Sequence, residues 1–140
     1  VEMKGILRTL DNETRKYTRE RIKTIVEKVA EALGGKGELI VDESYPPLIN
    51  DNSTVKVVQE TAKKIIGKEN VVYKEFPNLG AEDFAYFAQE VESCYFEIGC
   101  RNEKLECVND LHNNNFNIDE SCLGLGILLQ VENALALLKQ

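Results

Sequence analysis

The chain has 140 residues, of which 43% are hydrophobic and 29% charged, and a formal net charge of -7. That is enough apolar material for a packed core, so bulk disorder is excluded. An acidic surface repels phosphate backbones, which argues against nucleic acid as a partner, and no apolar run reaches the roughly 18 residues needed to cross a bilayer.

Residues 1–10 alternate like a strand, with Val1, Met3 and Leu7 on one face and Glu2, Lys4 and Arg8 on the other, joined by Ile6 and Leu10. No secretory signal is visible, so a cytoplasmic location is expected. The opening Val1-Glu2-Met3-Lys4-Gly5 reads as the middle of a strand, and the chain is expected to be a piece of a longer one. Asp11-Asn12 offers an N-cap, and Glu13 complements the dipole of the helix that follows. That helix is expected to run to about Leu33, burying Ile22, Ile25, Val26, Val29, Ala30 and Leu33, and to end at Gly34-Gly35. Residues 38–45 read as a second strand.

Tyr45-Pro46-Pro47-Leu48 interrupts the pattern, because neither proline can donate to a ladder, and a domain boundary is placed here. A helix follows Asn50-Asp51-Asn52-Ser53, with Val55, Val58, Ala62, Ile65 and Ile66 on its expected buried face, and stops at Gly67. Asn70–Lys74 reads as a strand, Pro77–Gly80 as a loop, Glu82–Gln89 as a short helix and Tyr95–Gly99 as a strand. Residues 100–115 are polar and irregular, and a last helix is expected from about Ser121 to Leu138. The alternation of helix and strand predicts an α/β fold.

His112 is the only histidine, in the polar stretch Asp110-Leu111-His112-Asn113-Asn114-Asn115-Phe116. Neutral imidazole is a common transition-metal ligand, although a lone histidine in a loop is most often simply solvated. Gly80-Ala81-Glu82-Asp83-Phe84 places two acids at a helix start, where they could face a ligand or could merely complement the macrodipole. Arg8 on the first strand could clamp a carboxylate in two-point fashion; the bland reading is a solvated charge. The four cysteines, Cys94, Cys100, Cys107 and Cys122, form no C-x-x-C pair and read as free thiols.

Three stretches together resemble a known family. They are Glu2–Leu10, Gly80–Phe87 and Leu111–Glu120, and their order and separation are similar to the C-terminal part of the metal-dependent N-acyl-amino-acid amidohydrolases. That family includes the hippurate hydrolases, the aminoacylase-like enzymes and the auxin-conjugate hydrolases. Tyr45–Asp51 also fits it. The resemblance implies part of a three-layer α/β catalytic domain in residues 49–140, and in residues 1–48 the second half of a βαββαβ, ferredoxin-like lid that commonly mediates dimerisation. It implies an amidohydrolase or exopeptidase acting on N-acyl amino acids or small peptides, with a homodimer as the assembly.

The same resemblance implies two divalent cations in the intact enzyme (zinc, manganese, cobalt or nickel) and none in this chain alone. His112 matches the family's final metal ligand. Glu82, Asp83 and Gly80 match a segment at the active-site wall, and Arg8 a position that can meet the substrate carboxylate. The other metal ligands and the general-base glutamate have no counterpart in these 140 residues. Asn113-Asn114-Asn115 also departs from the proline-containing continuation usual after the histidine, which changes loop stiffness. Two other readings compete: a non-catalytic module that dimerises through its first 48 residues, and a small domain held by zinc on Cys94, Cys100, Cys107 and His112.

Overall fold

Asp11 begins the first helix, α1 (Asn12–Ala32), by accepting a hydrogen bond of 2.7 Å from the Thr14 N–H. This satisfies one of the orphan donors of the first turn. The other end closes in the manner its glycines predict. Gly34 takes φ +76°, its N–H reaches the Glu31 carbonyl, and the Gly35 N–H reaches back to Ala30 at 2.8 Å. A side chain at Gly34 would be strained, because only glycine enters that backbone region without cost. The computed structural model describes residues 1–139.

The second helix, α2 (Asn52–Ile66), starts at Asp51, whose carboxylate accepts from the Thr54 N–H at 2.8 Å, from the Thr54 hydroxyl and from the Ser53 hydroxyl. These donors, led by the Ser53 hydroxyl and then the Thr54 amide, lower the carboxyl from its ordinary 3.8 to about 2. Gly67 ends α2 at φ +83°, and the Asn70 side chain donates to the Ile66 carbonyl at 2.6 Å. A short helix, α3 (Phe84–Glu90), and a long one, α4 (Ser121–Leu137), complete the set, with single 3-10 turns at Lys68–Asn70 and Glu103–Leu105.

These elements fall into two compact units. The first comprises Val1–Ile49 and Lys74–Val91; the second comprises Asn50–Tyr73 and the chain from Glu92 onward. In the second unit α2 packs against α4. The buried positions of α2 are Thr54, Val58 and Thr61, spaced i, i+4, i+7, and those of α4 are Leu129 and Asn133. The buried stripe of α2 is thus rotated from the expected one: of the five residues expected there, Val58 alone is buried, and the others are half-buried. In the first unit, Tyr45 and Tyr86 approach in a tilted aromatic pair with centroids 5.8 Å apart, and Ala85 of α3 is buried.

The expected α/β architecture is not formed. Among the described residues the secondary structure is helical, with no strand and a single isolated antiparallel bridge between Asn102 and Cys107. Neither the three-layer sheet domain nor half of a βαββαβ lid is present. The physical reason is that alternation fixes which face a strand presents, whereas a ladder also needs a second strand whose N–H and C=O groups face it.

Side chains meet the backbone of the extended segments instead. Arg15 donates to the carbonyls of Tyr45 (2.9 Å) and Ser44 (3.3 Å), and Arg19 pairs with Glu43, so residues 43–45 are tied to α1 by guanidinium groups. Asn50 clasps Tyr95 from both sides: its amide donates to the Tyr95 carbonyl, and its carbonyl accepts the Tyr95 N–H, each at 2.8 Å. A carboxamide carries the same donor and acceptor as a peptide group, so this contact is a bridge with one backbone partner replaced by a side chain. The neighbouring Asp51 N–H donates to the Ser93 carbonyl at 2.9 Å.

Much apolar surface faces outward. No residue of α1 is buried, and Leu33 of its predicted stripe is 82% exposed. On α4, Leu123, Ile127 and Val131 are exposed, as is Leu138 just beyond its end. No helix among the described residues is long and apolar enough to cross a membrane.

Two outcomes test these contacts. Asp51 has a depressed carboxyl, so its contribution is complete above pH 4 and is lost as the pH falls through about 2. Asp51→Ala is therefore expected to lower the Tm near neutral pH by about 5 °C. Asp51→Asn is expected to keep most of the cap but to flatten the stability loss between pH 4 and 2, read from thermal melts by circular dichroism. Gly37 runs so close to α1 that a β-carbon there would sit 2.4 Å from the Val26 carbonyl oxygen. Gly37→Ala is expected to lower stability by about 1–3 kcal/mol in urea unfolding, because the obstructing atom is backbone and cannot swing aside.

Candidate functional site

The loop that carries His112 is built on a small hairpin. Asn102 and Cys107 exchange both backbone hydrogen bonds, at 3.0 and 2.9 Å, around the 3-10 turn of Glu103–Leu105. Glu106 closes that turn at φ +57°. The Asn102 side chain accepts the Lys104 N–H and donates to the Asp119 carboxylate at 2.6 Å. Asp119 in turn accepts the Ser121 N–H at 3.0 Å, the start of α4, and its own N–H bonds the Cys100 carbonyl at 2.9 Å. The Asn102 amide, followed by Ser121, holds the Asp119 carboxyl below its usual range. Asp119 thus joins the hairpin, the end of the histidine loop and the start of α4. Burial of Cys107 pushes its thiol upward, with the Asp119 charge adding to the effect.

Between these anchors the loop is closed by its own asparagines. The Asn109 amide donates to the Asn115 carbonyl at 3.1 Å, the Asn115 N–H donates to the Asn113 side chain at 2.8 Å, and the Asn113 N–H reaches the Asp110 carbonyl at 3.2 Å. His112 is the third residue of that last turn and takes φ +68°. Glycine or asparagine is ordinary at such a position, and a histidine there carries strain of about 1 kcal/mol. The residue is exposed.

The other predicted residues belong to the first unit. Arg8 donates to the Leu79 carbonyl at 2.6 Å, directly before Gly80. The Gly80 N–H donates to the Asn78 side chain at 2.7 Å, closing a tight turn. Glu82 is half-buried and accepts the Phe84 N–H at a long 3.5 Å; Asp83 is exposed and makes no side-chain cap at the start of α3. Arg8 and the Gly80 segment are therefore brought together, and His112 stands in the second unit.

Among the described residues no three histidine, cysteine, aspartate or glutamate side chains gather to hold a metal ion. The set of Cys94, Cys100, Cys107 and His112 is accordingly not assembled, and all four cysteines are free. Sequence reasoning missed Asn102 and Asp119. For Asp119 the signal was present, since an acid two residues before a helix is a cap candidate; for Asn102, whose partner lies 17 residues away, there was none.

Residues 12–133 match the family described as Peptidase family M20/M25/M40. The chain is 34% identical over 129 residues to thermostable carboxypeptidase 1 of Saccharolobus solfataricus, covering 91% of this chain and 32% of that protein. It is 30% identical over 139 residues to the hippurate hydrolase of Campylobacter jejuni, covering 98% of this chain and 34% of the relative. To the IAA-amino acid hydrolase ILR1-like 6 of Arabidopsis thaliana it is 27% identical over 130 residues, or 90% and 28%. The chain spans about a third of the length of the curated relatives it matches. No solved structure matches it significantly.

The strain at His112 gives a direct test. His112→Gly is expected to raise stability by about 1 kcal/mol in denaturant unfolding, with His112→Asn between the two, because both accept a positive φ more readily than histidine. A loss of stability in His112→Gly would show that the imidazole contributes more than its backbone costs.

The residues that carried the resemblance lie in or beside the matched span, the match covers most of the sequence, and relatives at 30% identity or more agree with it: the chain belongs to the peptidase family M20/M25/M40.

Proposed function

We propose that the chain is part of a metal-dependent amidohydrolase or exopeptidase that cleaves N-acyl amino acids or small peptides. Membership of a peptidase family and relatives named for hippurate, for an amino-acid conjugate and for carboxypeptidase activity support this reading. The observation that carries it is His112, held at φ +68° in a loop closed at Asn109–Asn115 and anchored through Asp119. Backbone strain concentrates where a side chain must be presented rather than where the chain merely turns.

In this reading His112 would hold a divalent cation through a ring nitrogen, and such a cation would supply Lewis acidity that lowers the pKa of a water. Among the described residues no group of three candidate ligands gathers around His112 or elsewhere. In this reading a two-cation centre in the assembled enzyme would take its remaining ligands and its general base from outside these 140 residues. Arg8, with its guanidinium at the Leu79 carbonyl, and the Gly80, Glu82 and Asp83 segment serve substrate recognition: the guanidinium meets a carboxylate and the turn shapes the wall. Residues 1–48 serve subunit contact in a homodimer, and residues 49–140 the catalytic part.

In the assembled enzyme, His112→Ala is expected to lower kcat/KM by about 100-fold or more and to reduce bound metal measured by elemental analysis. The isolated 140-residue chain is expected to show neither turnover nor stoichiometric metal. Full turnover and full metal content in His112→Ala would refute the assignment.

A further inference from the structure

We draw no further inference here: the strongest candidate, the exposed apolar face of α4 along Leu123, Ile127, Val131 and Leu138, carries nothing because nothing in the structure shows what covers it.

Discussion

A peptide group taken from water must find another hydrogen-bond partner, and among the described residues the extended segments have no neighbouring strand to supply one. Polar side chains take that role. Arg15 holds the carbonyls of Ser44 and Tyr45, Arg8 holds that of Leu79, and Asn50 holds both polar groups of Tyr95. Each contact spans tens of residues and returns a segment of extended pattern to its own compact unit. The helices give the frame, and these long polar side chains fix the connecting chain to it.

The histidine loop depends on the same device at closer range. Asp119 takes one hydrogen bond from the hairpin and one from the first turn of α4. The loop between is closed by asparagines, whose short carboxamides copy backbone geometry without needing a regular element. This explains how an irregular, polar stretch can present one side chain in a strained conformation. No proline fixes φ in this stretch; the hydrogen bonds of Asn109, Asn113 and Asn115 restrain the loop instead.

What could be read from the sequence was what local chemistry decides. Asp11 and the Gly34-Gly35 pair bounded α1, and Asp51 and Gly67 bounded α2. The strand assignments failed because alternation in residues 1–10 and 38–45 describes one side of a pairing whose other side is not found among the described residues. The buried stripes were misplaced for a related reason. On α2 the side facing α4 is set by Thr54, Val58 and Thr61, two of them polar, so hydrophobicity alone pointed to a neighbouring face. Arg8 and Gly80 were singled out as candidates by residue type and resemblance, and the contact of Arg8 with the Leu79 carbonyl joins positions 71 residues apart, which no local pattern encodes.

The starts of the helices and the ties of the loops answer to different chemistry. Asp11, Asp51 and Asp119 are all carboxylates held below their ordinary range by the hydrogen bonds they accept, led by the Thr14 amide at Asp11, the Ser53 hydroxyl at Asp51 and the Asn102 side chain at Asp119. The ties at Leu79, Ser44 and Tyr45 are guanidinium-to-carbonyl contacts, and arginine keeps its proton at any pH a protein meets. Protonation of these carboxylates removes the acceptors at the beginnings of α1 and α2 and, at Asp119, the acceptor shared by the hairpin, the histidine loop and the start of α4, whereas the ties at Leu79, Ser44 and Tyr45 use no carboxylate. Acid thus acts unevenly on the connecting chain: the histidine loop shares its anchor with a helix start and loosens with it, while the segments held by arginine on peptide carbonyls keep their ties.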